Sequence, residues 1–149
     1  MSRYSSGTAG AAATIVGTTG RPVWALLQTA SVSGVLRSMK VTNTTDTACV
    51  YRLVNLTAGT AGTNTTIRKH RRNAPTASCL GKNGWTADAT IGEDTGYYFD
   101  LGAAKGSGAY ETFGAEGLEG ELGATSALGL VLVIGAPASG PIVAATWDE

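Results

Sequence analysis

Apolar and polar positions alternate with a period of two over two stretches of the first half of this chain. They run unbroken over one stretch near its end. In residues 34–42 (GVLRSMKVT), Val35, Met39 and Val41 share one face and Ser38, Lys40 and Thr42 the other, with Leu36 and Arg37 out of phase. Residues 47–56 (TACVYRLVNL) set Cys49, Tyr51 and Leu53 against Val50, Arg52 and Val54. Strict alternation is the signature of a half-buried strand. The polar run Asn43-Thr44-Thr45-Asp46 between the two carries side chains that bond their local backbone, so the pattern predicts a hairpin. Residues 127–134 (ALGLVLVI) are apolar on both faces, which predicts a central strand covered on both sides by a second sheet or a second subunit. Gly and Pro in residues 135–140 (GAPASG) turn the chain, and residues 141–147 (PIVAATW) return before Asp148-Glu149.

The remaining elements are shorter. Residues 22–29 (PVWALLQT) read as a strand opened by Pro22, residues 96–101 (GYYFDL) as an aromatic strand and residues 109–113 as a short one. Residues 1–20 show no repeating apolar period and predict an N-terminal arm, leaving residues 21–149 as one domain. Residues 57–95 hold only scattered apolar positions and predict a long loop excursion with missed short strands. Twenty-one Gly and 21 Thr reinforce the lean toward β structure. The expected fold is therefore all-β: an antiparallel β-sandwich, jelly-roll-like, with an arm and a central excursion.

Charge changes the picture more than composition does. The formal net charge is zero, yet residues 1–82 hold ten of the eleven Lys/Arg and only Asp46 among the acids. Residues 83–149 hold ten of the eleven Asp/Glu and only Lys105 among the bases. The halves can interleave and neutralise each other within one sandwich, and the molecule can present oppositely charged surfaces to its neighbours; the two readings are compatible. The densest basic run, Arg68, Lys69, Arg71 and Arg72, lies in a loop-like stretch and is the candidate protein-docking site. A solvated loop and a phosphate-binding patch are the other readings of it. The nearest aromatics, Tyr51 and Trp85, are poorly placed for base stacking, so no specific nucleic-acid role is expected.

Candidate chemistry is sparse. The single histidine, His70, sits among cations that disfavour its charged form, with no acid nearby in sequence to orient it. No phosphate-binding, dinucleotide or zinc motif is present, and no catalytic residue, metal ligand or cofactor is assigned. Glu93, Asp94, Glu116, Glu119 and Glu121 read as solvated acids ahead of a hard-cation site. Cys49 and Cys79 read as two buried thiols. The Asn-x-Thr triplets at Asn43, Asn55 and Asn64 read as chance in a Thr-rich chain with no expected secretory leader. The longest apolar run is too short to cross a membrane, and no membrane partner is expected.

The Ala/Gly/Thr-rich start, the pair of strands over residues 35–56 and the ending Leu128-Gly129-Leu130-Val131-Leu132 … Ala144-Ala145-Thr146-Trp147-Asp148-Glu149 resemble small virion proteins of tailed bacteriophages, the jelly-roll kind that decorate or cement capsids. The resemblance implies a non-enzymatic structural protein on the capsid surface, made in the host cytoplasm. It would be a homo-oligomer, a trimer ahead of other states, and would bridge major capsid proteins. Leu130, Leu132, Ile134, Ile142 and Trp147 are the candidate core or oligomer contacts. Two alternatives stand beside this one. The first is a tail or head-fibre component. The second is a carbohydrate-binding adhesion module in which Trp85, Tyr97 and Tyr98 stack on sugar rings.

Overall fold

The computed structural model describes residues 1–60 and 62–149. The elements are strands throughout: β1 (Arg3–Gly7), β2 (Trp24–Leu27), β3 (Val35–Thr42), β4 (Cys49–Thr57), β5 (Thr63–Asn64), β6 (Arg68–Lys69), β7 (Leu80–Asn83), β8 (Thr90–Leu101), β9 (Gly108–Thr112), β10 (Leu118–Glu119), β11 (Ser126–Ile134) and β12 (Ile142–Asp148). They form two antiparallel sheets packed face to face. The first runs β10-β3-β12-β1-β6, with β9 joining β3 on the same edge as β10. The second runs β5-β7-β2-β11-β4-β8. The chain is a β-sandwich.

The core between the sheets follows from the alternation. Cys49, Tyr51 and Leu53 of β4, Leu128 and Leu130 of β11, and Trp24 and Leu26 of β2 point inward from the second sheet. Leu36, Met39 and Val41 of β3, with Val143, Ala145 and Trp147 of β12, meet them from the first. Trp147 stacks on Tyr4 of β1 at 5.9 Å between ring centroids. Each such side chain contributes about 1.5–3 kcal/mol on full burial, so the aromatic centre is a principal source of stability.

The outer face of the second sheet is also buried. Ala25, Val54, Leu56, Ala127 and Val131 form a second apolar cluster, closed by Trp85 with Ile15, Ala89 and Ile91 packed around it. This explains why residues 127–131 are apolar on both faces: sheet one covers one side, and the chain's own loops cover the other. Gly129, between Ala127 and Val131, keeps that outer layer thin. A Cβ there would run into Leu56 Cδ2 and lie 3.2 Å from Pro22 Cβ.

Four expectations are corrected. β3 and β4 do not form a hairpin; they lie in different sheets, and the chain crosses between sheets over residues 43–48. Asn43 holds that crossing, its side-chain amide donating to the carbonyls of Thr47 and Gly102, each at 2.8 Å. The polar run is thus a corner between sheets, with Asn43 and Thr45 buried, and not a two-strand turn. β11 and β12 likewise separate into different sheets, turned by Gly135, whose φ of +97° favours glycine. On β3 the inward face is Leu36, Met39 and Val41, because a register shift between Thr146 and Trp147 of β12 passes over Arg37. The β-bulge accounts for the two residues out of phase. Finally, residues 3–7 are no arm: β1 lies inside the first sheet, between β12 and β6, with Tyr4 buried. The excursion over residues 57–95 contains β5, β6, β7 and the start of β8, each short or irregular enough to escape a periodicity reading.

A candidate protein-docking edge

β6 forms one edge of the first sheet, and its two residues are the start of the basic run. Arg68 pairs with Ser5 and Lys69 with Tyr4 of β1, so the strand is held by the sheet's interior while its outer side is free. The following turn is fastened at three points. His70 N–H donates to Arg3 O (3.0 Å), Lys69 Nζ to Ala74 O (2.8 Å), and Tyr4 Oη to Pro75 O (3.1 Å). Arg71 and Arg72 stand at the exposed tip. A two-residue edge strand carrying Arg and Lys is a short, charged edge of the kind that resists strand addition. The sequence therefore places a rigidly held cluster of cations on the surface. Among the described residues, none of the four makes a salt bridge.

The arginines elsewhere in the first half are paired, while Lys40 and Lys82 make no salt bridge among the described residues. Arg3 Nε and Arg37 Nε reach the two oxygens of Asp148 at 2.8 and 2.7 Å, Arg21 reaches Asp88 at 2.9 Å, and Arg52 reaches Asp94 at 3.2 Å. Every one of these bridges joins the basic half of the sequence to the acidic half, so the halves do interleave. Hydrogen bonds from Arg3, and then from Arg37, hold the Asp148 carboxyl below the usual carboxylate range despite its burial. The Gly96 N–H, the Tyr98 hydroxyl and Arg52 do the same for Asp94. What remains unpaired is concentrated on the β6 edge and its turn.

His70 and Arg71 share a shallow hollow of about 450 Å³ with Met1, Arg3 and Asp148. Folding thus brings one acid near His70, but that carboxylate is engaged by two arginines and does not orient the imidazole. Beyond Arg68, the outer face of the first sheet is a wider depression of about 730 Å³, floored by small residues such as Ser5, Gly7 and Ala144. Lys40, Ile142 and Tyr110 line it too, and Tyr110 is 62% exposed. No sequence signal marked Tyr110, because its exposure depends on β9 being an edge strand.

The other candidate residues separate. Leu130 and Trp147 are fully buried in the central core and Leu132 packs against it, so these three serve the fold. Ile142 lies on the outer face of the first sheet, and Ile134 is 61% exposed at the end of β11. The three aromatics proposed for sugar stacking do not come together. Trp85 is only 2% exposed and closes the outer cluster, and Tyr97 packs edge-on against Phe113 at 4.7 Å. Tyr98 is 47% exposed, with its hydroxyl donating to Asp94 at 2.8 Å. Cys49 and Cys79 are buried and unpaired; burial raises both thiols, that of Cys79 to about 12 with the Glu149 carboxylate adding to it. Among the described residues, no three His, Cys, Asp or Glu side chains group to hold a metal, and no helix is long and apolar enough to cross a membrane.

Compared with known proteins, the chain matches no family model, no curated protein and no solved structure.

Proposed function

We propose that the chain is a non-enzymatic structural subunit of a bacteriophage virion, a capsid decoration or cement protein that bridges major capsid subunits, with the β6 edge as a protein-docking surface of the assembly on the particle. The observation that carries this reading is the cluster Arg68, Lys69, Arg71 and Arg72: exposed, without carboxylate partners, and presented by a backbone pinned to the sheet. The turn is held in place by the Tyr4 hydroxyl and the Lys69 ammonium. A docking surface gains from it, since less freedom is lost on binding. The path of the chain supports the jelly-roll form of the sandwich. β3 pairs with β12 in one sheet and β4 with β11 in the other, so two antiparallel segments wrap together across both layers.

In this reading, made in the host cytoplasm, the subunit adds contact area across seams between capsid proteins, and a loosening capsomer must break those contacts as well. Individual exposed ion pairs contribute only about 0.2–1 kcal/mol, so the effect depends on many copies engaging one lattice. No turnover and no cofactor belong to this role.

The test is co-sedimentation of purified protein with particles lacking it, alongside the triple variant Arg68→Glu, Arg71→Glu, Arg72→Glu. Binding that raises the particles' thermal resistance, and that the variant loses, supports the reading. Failure to bind particles, or equal binding by the variant, removes the docking assignment.

A further inference from the structure

The two halves interleave in the middle of both sheets, but the topology leaves the densest basic segment and the densest acidic segment at opposite edges of the sandwich. On one side lie β6 of the first sheet and β5 and β7 of the second, joined by the Thr65 N–H to Gly81 O bond (2.9 Å) and by contact between Ser6 and Thr65. Residues 63–83, which build this side, carry Arg68, Lys69, Arg71, Arg72 and Lys82 and no acid. Two carboxylates approach them: Asp148, engaged by Arg3 and Arg37, and Glu149, occupied by the Ser78 and Cys79 N–H groups at 2.8 and 2.9 Å and the Trp147 indole at 3.0 Å.

On the other side lie β9 and β10 of the first sheet and β8 of the second, locked together by the Tyr97–Phe113 contact. Residues 90–121 carry Glu93, Asp94, Asp100, Glu111, Glu116, Glu119 and Glu121 against the single base Lys105. Of the seven, only Asp94 is salt-bridged among the described residues. All but Glu111 are exposed.

We infer that the partner of the cationic β6 edge is the acidic β8–β9–β10 edge of a second copy of this chain. The inference rests on the docking role proposed above and names the occupant of that same surface. Because the two edges differ and lie on opposite sides, the contact is head-to-tail. Each copy offers a free acidic edge after its basic edge is used, so copies add in one direction and stop only where a ring closes. Like edges repel, which excludes the side-to-side alternatives. The strands also fit side-chain attraction and not strand addition. β5 and β6 are two residues long, and the pairing of β8 with β4 shifts register twice. Such edges are poor templates for a continuous ladder.

The experiment needs no particle. Sedimentation of the purified chain at about 0.01 M salt, where the Debye length is roughly 30 Å, is compared with about 1 M, where it is roughly 3 Å. Self-association is expected at low salt and should weaken at least tenfold at high salt. The basic-edge variant (Arg68→Glu, Arg71→Glu, Arg72→Glu) and an acidic-edge variant (Glu93→Lys, Asp100→Lys, Glu116→Lys) should each stay monomeric. Mixed in equal amounts they should associate, since every edge of one then complements every edge of the other. Circular dichroism and the melting midpoint of each variant establish that both fold. A folded wild-type chain that stays monomeric at low salt, or two folded variants that ignore each other on mixing, overturns the inference. If particle binding is nonetheless lost in the basic-edge variant, the docking reading stands and its partner is a different acidic protein.

Discussion

Replacing Asp148 by Asn tests whether the bridge between the two ends of the sequence stabilises the sandwich. The Asp148 side chain is only 5% exposed and accepts three N–H groups: Arg3 Nε at 2.8 Å, Arg3 Nη2 at 3.0 Å and Arg37 Nε at 2.7 Å. Asn keeps the shape but removes the charge, and its amide group turns a donor toward a guanidinium. Removing one partner of a buried pair costs roughly 3–5 kcal/mol. Here the Arg3 side chain is half exposed and regains water, so the expected loss is about 2–3 kcal/mol. For a domain of this size each kcal/mol shifts the midpoint by about 2–4 °C, giving about 4–12 °C in total. The pH dependence gives a sharper test. The folded carboxyl titrates below its unfolded value of about 3.9. Its contribution is therefore fully present above that value and lost as pH falls through the folded pKa. Urea unfolding of wild type and Asp148→Asn across a pH series should show a constant gap from pH 7 down to about 5. The gap should then close as the wild-type carboxyl protonates. A gap below about 0.5 kcal/mol at neutral pH, the range of an ordinary surface change, would refute the argument. A gap that stays constant through the acid range would do so equally.

Trp85→Ala should cost about 3–5 kcal/mol. It should also uncover Val54, Leu56 and Val131, read as dye binding by a protein that keeps its β circular dichroism; unchanged stability would mean that Trp85 does not close that cluster. Gly129→Val should destabilise by roughly 1–3 kcal/mol through overpacking, and Leu56→Ala in the same chain should recover part of the loss. An additive pair of losses would show that Leu56 is not what the new side chain strikes. Both thiols should resist a soluble disulfide reagent at pH 8 and react once urea unfolds the chain. Rapid labelling of the native protein would contradict the burial of Cys49 and Cys79.

Much of the fold was legible where alternation is strict. β4 and β11 run within two residues of their expected bounds, and β4 keeps its expected alternation, because period-two burial is a local property. The same locality explains the errors. A polar run after β3 looks alike whether the chain reverses within a sheet or crosses to the next, and only the packing of Asn43 against Thr47 and Gly102 decides. β1 could not be read because RYSSG has one apolar residue; its place comes from Tyr4 meeting Trp147, from the far end of the chain. At the candidate site, the four cations were visible as a run in sequence. Their fixed presentation was not, since it depends on Tyr4 and on pairing with β1. The acidic side was visible as composition, but its gathering along one edge required knowing that β8, β9 and β10 are neighbours in space.

The pairing of β1 with β12 also governs how the molecule is made. The central part of the first sheet joins residues 3–7 to residues 142–148, so it cannot close until the last strand has left the ribosome. Contacts of such long sequence separation slow folding, because loop closure comes before its reward. During that interval β11, apolar on both faces, lacks the completed sheet that will cover one of them. It is the segment most exposed to association with other unfinished chains. Folding yield should therefore respond more to synthesis rate and chaperone supply than native stability alone would suggest.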